Sequence, residues 1–292
     1  MVNWSFKRIL KIDSSNAKRY KIYFLGIKIF SLRRKLNLSQ SEYIKLEAIK
    51  NSFPEILSMD EMLKKIKDGA SLARFGDAEF DIMLGCNKED PYQKPSSELT
   101  KRLSSILVRQ TSENLIVAIP PFNDKHNNIK NFYKDISFWP WYWLNRWSVL
   151  QKYFIHKRYG NSFFSRDAVF YELTIEDLKS IWGGRNVIFV VPENGRFFYD
   201  ERLFGNIKSR SEIVVPPTSA FVEYERILSE CLSCSKDSLF FICAGPTATV
   251  LAVELSDNGY QALDMGHFPN CYLEFLGEAK RPEVYPMTKS VK

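Results

Sequence analysis

Six short, mainly apolar runs along the chain each stop at or just before a glycine or a proline. They are Ser71–Phe75 before Gly76, Leu115–Ile119 before Pro120, Asn186–Val191 before Pro192, Glu212–Val215 before Pro216, Ser238–Ala244 before Gly245, and Gln261–Asp264 just ahead of Gly266. A strand with one wet face alternates polar and apolar residues; these do not, which is the pattern of a sheet covered on both sides. Stretches of helical spacing separate them, at 98–110, 174–182, 219–232 and 246–258. Strand and helix in alternation predict an α/β fold with a doubly wound, mostly parallel sheet.

Two regions depart from that rhythm. Ser39 to Lys67 has helical spacing, with Tyr43, Leu46, Ile49 and then Ile56, Leu57, Met62, Leu63 and Ile66, broken at Pro54. Residues 132–164 hold 13 aromatic side chains, including Trp139, Trp141, Trp143 and Trp147. They predict an aromatic-rich helical insertion at about 130–165, which either packs on the sheet or offers rings on which a sugar or a lipid-linked acceptor stacks.

Charge is unevenly placed. The chain has 41 Lys plus Arg against 34 Asp plus Glu, a net +7, but residues 1–36 alone carry ten basic residues against Asp13. The rest is therefore close to neutral, which excludes a nucleic-acid surface spread over the folded body. Within the leader, residues 1–38, the segment Tyr20–Leu32 is apolar for eleven residues interrupted by Lys28. It reads either as a hairpin flanked by solvated lysines or as an anchor that lies on an anionic membrane surface. No run of about 18 apolar residues spans a bilayer. Five cysteines, with only Cys231-x-x-Cys234 closely spaced and three histidines in the chain, do not supply a four-ligand zinc site and suit reduced thiols.

Chemistry concentrates where the runs end. Arg74-Phe75-Gly76-Asp77-Ala78-Glu79 follows the first run. If the backbone stays extended there, Asp77 and Glu79 project on one side and offer oxygen ligands to Mg²⁺ or Mn²⁺. The alternative is that Asp77 caps a helix starting near Phe80 and Glu79 is a solvated first-turn acid. Gly245-Pro246-Thr247-Ala248 joins an apolar run to a helix whose free N–H groups attract an anion. It is not G-x-G-x-x-G, so a nucleotide diphosphate fits better than a dinucleotide. Asp264 and His267 fall at the end of the next run, facing the same cleft or serving the structure. Ser165-Arg166 and Arg196 suit phosphate or hydroxyl contacts, or belong to surface loops.

The ordered set Ala73–Glu79, Tyr92–Lys94, Ser165-Arg166, Ile181-Trp182 into Val187–Val191, Pro216–Phe221, Ala244–Leu251 and Gly259–His267 resembles the bacterial GT-D fold glycosyltransferases, from about residue 55 to 278. The resemblance implies a Rossmann-like catalytic domain over 39–292, Mn²⁺ or Mg²⁺, and inverting transfer from a UDP-sugar to a saccharide or lipid-linked acceptor. The pathway it implies is surface-polysaccharide or glycoprotein assembly in the cytoplasm, at the inner face of the membrane. It places the metal on Asp77 and Glu79, and the nucleotide-sugar at Arg74, Phe75, Gly76, Ser165, Arg166, Arg196 and Gly245–Ala248. The catalytic candidates are His267, Asp264 and Glu79. Ala78 stands where that family usually has Gly, and Phe268–Tyr272 replaces an acidic stretch after the final motif. The alternatives are another α/β enzyme for phosphorylated ligands, such as a nucleotidase or methyltransferase, and a non-catalytic membrane-docking scaffold.

Overall fold

The runs that end in glycine or proline become the middle of one eight-stranded parallel sheet. The structure is a computed structural model that describes residues 39–86, 93–94, 96–109, 111–122 and 138–280, and the backbone of 10–13, 19–24 and 27–33. Residues 1–9, 14–18 and 34–38 of the leader, Tyr92, and 132–137 of the aromatic segment lie outside the described residues. Strands are numbered along the chain: β1 Leu10–Asp13, β2 Arg19–Phe24, β3 Ile27–Arg33, β4 Glu55–Ile56, β5 Ser71–Arg74, β6 Leu115–Ile119, β7 Arg158–Asn161, β8 Asn186–Pro192, β9 Ser209–Val215, β10 Leu239–Ile242 and β11 Gln261–Asp264.

The large sheet has the order β4-β7-β6-β5-β11-β10-β8-β9, and every pairing in it is parallel. Strands β6, β10 and β11 are buried along their whole length, as continuous apolar runs require. Helices Met59–Lys67, Ser97–Leu107, Tyr224–Leu232 and Pro246–Asp257 alternate with the strands, so the doubly wound α/β expectation holds. Met59–Lys67 starts at Ser58, whose hydroxyl accepts the Glu61 N–H while the Glu61 carboxylate accepts that of Ser58, a reciprocal cap worth about 1 kcal/mol.

Three expectations need correction. The run at 212–215 forms the end of β9, the outermost strand, where only Ile213 and Val215 are buried; an edge strand with one covered face alternates. Two strands were not expected. The two-residue β4 is too short to leave a pattern. The other, β7, reads Arg-Tyr-Gly-Asn and pairs with β4 and β6 inside the region assigned to the aromatic insertion. Gly160 is required there because a Cβ would lie 2.3 Å from Ile116 Cγ2 on the neighbouring strand.

The chain divides into two compact units, residues 1–53 with 122–148, and residues 54–121 with 149–292. Residues 39–53 thus group with the leader, and residues 149 onward of the aromatic segment group with the large sheet. Within the first unit, helix Gln40–Ser52 leads into Phe53, whose ring stacks on Trp147 at 5.2 Å and meets Trp143 edge-on at 5.1 Å. The leader contributes β1, β2 and β3 as a three-stranded antiparallel sheet, with β2 and β3 forming the expected hairpin. No helix among the described residues is long and apolar enough to cross a membrane.

Candidate functional site

Chain order reverses direction across the large sheet at the β5–β11 seam, where Leu72 lies opposite Leu263. In open parallel sheets such a switch leaves a crevice beyond the carboxyl ends of the strands. Three adjacent strands there, β5, β11 and β10, each turn directly into a helix: Asp77–Met83, Phe268–Phe275 and Pro246–Asp257. Their N-terminal N–H groups make this end of the sheet electropositive before any side chain is counted.

Gly245 forms the turn out of β10. Its φ of 57° and ψ of −145° suit only glycine, and an added Cβ would meet nothing within 4 Å. The backbone therefore faces open space, as the close approach of a ligand requires. Thr247, two residues on, is fully buried. Among the described residues four buried side-chain atoms lack a hydrogen-bond partner, and three of them cluster in this part of the fold: Thr247 Oγ1, Arg74 Nε and Asp264 Oδ1. Buried polar atoms are normally satisfied, so these three give this end of the sheet unmet hydrogen-bonding capacity.

The charged centre joins β5 to β11. Arg74 Nε stands 3.8 Å from Asp264 Oδ1, an ion pair longer than a hydrogen bond. Thr249 Oγ1 is 2.9 Å from the Arg74 carbonyl oxygen and 3.0 Å from Asp264 Oδ2. Its single proton serves one acceptor at a time. Glu79 folds back and accepts the Gly76 N–H at Oε2, 2.7 Å away. A side chain on Gly76 would crowd that oxygen at 3.1 Å. Burial pushes Asp264 up to about 6, against the opposing pull of Arg74 and the Thr249 hydrogen bond. Burial likewise raises Glu79 to about 7, Arg74 opposes it, and the Asp264 charge adds to the rise. Gly266, at φ 50°, keeps the turn after β11 clear for the guanidinium; its Cβ would sit 3.1 Å from Arg74 Nη2.

The motif residues take unequal places. Asp77 and Glu79 lie in the first turn of a helix capped by Gly76, so the extended backbone that would set them side by side is absent. Residues two apart on a helix do not face each other. Asp77 is exposed and Glu79 is buried, and neither alternative foresaw a buried Glu79 closing its own cap. Phe75 is fully buried and stacks on Phe80 at 5.6 Å, so it supports the loop from beneath. The Ala248 N–H donates to the Gly245 carbonyl, and Pro246 is buried. His267 is half-buried as the N-cap of Phe268–Phe275. Ser165 is fully buried and donates to the Ser162 carbonyl. Arg166 follows it beyond β7, and Arg196 follows β8; each of these strands is two places from the seam, on opposite sides. Thr249, whose hydroxyl lies between the Arg74 carbonyl and Asp264, is the residue at this centre that motif reading passed over, because no local pattern marks it.

A divalent cation would find carboxylate oxygens here, beside the buried thiol of Cys243, which burial keeps protonated. Among the described residues no three His, Cys, Asp or Glu side chains stand grouped as ligands. Asp77 is an exposed carboxylate at this end of the sheet, and a single carboxylate can share a hard cation with substrate phosphates.

Comparison with known proteins agrees with this fold. A family model described as "Glycosyltransferase GT-D fold" matches residues 72–289. "Glycosyltransferase GlyD" of Streptococcus pneumoniae serotype 4 is 30% identical over 226 residues, covering 75% of this chain and 27% of that protein. "Probable glycosyl transferase Gly" of Streptococcus gordonii is 28% identical over 229 residues, covering 74% and 32%. The chain thus spans about a third or less of these relatives. A solved structure described as "The highly conserved domain of unknown function 1792 has a distinct glycosyltransferase fold" is 30% identical, with a TM-score of 0.71 over 81% of this chain and 86% of that one. "A New Glycosyltransferase (DUF1792) from Streptococcus sanguinis" is 26% identical, with a TM-score of 0.65 over 77% and 86%.

Proposed function

The chain belongs to the glycosyltransferase GT-D fold family, and from that premise we propose that it transfers the sugar of a UDP-sugar, with inversion, to a hydroxyl of a saccharide or lipid-linked acceptor. The observation that carries the proposal is the anion cradle at the seam. Gly245 opens onto free space, Thr247 Oγ1 is buried without a partner, and Arg74 ends β5, two places along the sheet from β10 with β11 between. Helix termini, hydroxyls and guanidinium together favour a diphosphate over a single carboxylate.

Mn²⁺ or Mg²⁺ would be held by Asp77, with Glu79 and Asp264 close by, and when bound would neutralise charge on the diphosphate. The chain's own residues do the rest. The backbone N–H groups of the Gly245 turn bind the diphosphate, and Arg74 orients it from the seam. Asp264 and Thr249 fix Arg74; Asp264 is 1% exposed and therefore acts as a positioning residue. His267, half-buried beyond the same strand, is the group that takes the acceptor hydroxyl proton as the bond from the anomeric carbon passes from phosphate oxygen to acceptor oxygen.

The test is UDP release from a panel of UDP-sugars with saccharide acceptors, with Mn²⁺ or with EDTA. Turnover that needs both acceptor and cation, and falls at least about 100-fold in His267→Gln, is the expected result. Chelator-insensitive turnover, or hydrolysis with no acceptor dependence, overturns the assignment.

A further inference from the structure

The antiparallel sheet of the first unit sorts its residues by chemistry. Residues paired across antiparallel strands share a face, and neighbours along a strand alternate. The pairs Lys11 with Tyr23 and Asp13 with Lys21 lie on one face, as do Arg19 with Arg33, Lys21 with Ser31 and Tyr23 with Lys28. That face carries five basic residues and one acid. The other face carries the pairs Leu10 with Phe24 and Ile12 with Ile22, together with Ile22 with Phe30 and Tyr20 with Leu32. Ile29 has no partner. The register shift beside it brings Lys28 and Ser31 onto the same side, so the bulge preserves the sorting.

The same compact unit shows apolar and aromatic groups at its surface. Helix Gln40–Ser52 leaves Tyr43 57% and Ile44 62% exposed. Helix Phe138–Leu150 carries four tryptophans and no acid, and Phe138, Trp139 and Trp141 in its first turn are only half-buried. A basic sheet face and, elsewhere in the same unit, exposed aromatic and branched residues together have the chemistry of the bilayer interface. Basic side chains meet anionic headgroups there, and amphipathic rings sit at headgroup depth.

We propose that this unit seats the protein on the surface of a bilayer containing anionic phospholipid, with the basic face of the β1–β3 sheet toward the headgroup phosphates. Charge complementarity selects this occupant: residues 1–36 carry ten basic side chains and one acid, while the rest of the chain is near neutral. The inference is independent of the transferase assignment, because it uses no residue of the seam.

The test is sedimentation of the full chain with vesicles of phosphatidylcholine alone or with about one third phosphatidylglycerol. Binding is expected only to the anionic vesicles, and is expected to disappear as salt is raised from about 0.05 to about 0.5 M. Replacing Lys11, Arg19, Lys21 and Lys28 together by Gln should lower partitioning about 100-fold or more, at about fivefold for each basic residue. Brominated lipid should quench tryptophan fluorescence in the wild type, and less in Trp139→Phe with Trp141→Phe. UDP-induced thermal shift, measured in parallel, reports the seam separately. Equal binding to neutral and anionic vesicles, no binding to either, or binding unchanged in the fourfold variant overturns the proposal. So does self-association in the absence of lipid that the same substitutions abolish.

Discussion

Asp264 and Glu79 share one arginine, so the seam holds two buried carboxylates against a single positive charge when no cation is bound. Replacing Asp264 by asparagine removes the excess negative charge while keeping an oxygen for the Thr249 hydroxyl. The side chain's ordinary value is 3.8 and its value in the fold is about 6, a difference of about 3 kcal/mol in favour of the neutral form. A carboxylate with a raised value contributes stability that is present below about 4 and is lost as pH rises through about 6. In EDTA at pH 8, Asp264→Asn should therefore be more stable than the wild type by about 1–3 kcal/mol, once the weaker hydrogen bond of an amide is subtracted. For a unit of this size that is roughly 3–10 °C in Tm. The advantage should shrink at pH 5 and vanish near pH 4. The assay is thermal melting of both proteins across that range, with UDP-sugar turnover in parallel, where the variant should be nearly inactive. Arg74→Gln supplies the opposite sign, leaving two buried carboxylates without a counter-charge and costing about 3–5 kcal/mol at pH 8. An Asp264→Asn protein that is less stable than wild type at pH 8, or whose advantage is independent of pH, would refute this account.

Three other perturbations follow from single contacts. Gly245→Ala puts a Cβ on a residue at φ 57° and ψ −145°, so it should cost about 1–3 kcal/mol in melting experiments and weaken UDP titration as well. Thr249→Val keeps the shape but removes the hydroxyl between the Arg74 carbonyl and Asp264. It should lower stability by about 1–3 kcal/mol and reduce kcat more than it raises KM, with Thr249→Ser restoring both. Gly160→Ala drives a Cβ to 2.3 Å from Ile116 Cγ2 and should destabilise by about 1–3 kcal/mol or more without changing nucleotide affinity in the folded fraction.

The central strands were legible because burial on both faces forces a continuous apolar run, and β5, β6, β8, β10 and β11 fall where such runs stand. Strand β7 was not legible, because its residues answer to neighbours rather than to local pattern. Gly160 is there to let β6 approach, a reason held by Ile116 and Ala118 more than forty residues away. The unit boundary was hidden for the same kind of reason. Nothing in the composition changes at Pro54, and the division depends on Phe53 packing against Phe122, Trp143 and Trp147. The leader was more open to reading, since its alternation of basic and apolar residues is strand-like, although only the register showed that the two kinds occupy separate faces.

The site was legible in proportion to how local its geometry is. Gly245-Pro246 announces a turn and a helix start, and both are there. The pair Asp77 and Glu79 is equally local, yet its meaning inverted with one decision of the backbone. Had the chain stayed extended, the two carboxylates would have faced one cation together. Because Gly76 caps a helix instead, Glu79 turns inward to the Gly76 N–H and toward Arg74 and Asp264, and Asp77 alone remains exposed. The acidic partner that motif spacing assigns to Asp77 is thereby supplied to Asp264, on a strand nearly two hundred residues later. Thr249 makes the same point from the other side. Its hydroxyl links Arg74 and Asp264, 175 and 15 positions away, and no local pattern distinguishes it from an ordinary threonine in a first helical turn. The seam therefore depends on the order in which β5, β11 and β10 are laid side by side. A substitution such as Gly160→Ala, which strains the sheet two strands away, can in principle move these groups only by shifting strands. That is why unchanged nucleotide affinity in its folded fraction is a sharp test of whether the cradle is set by the three strands at the seam alone.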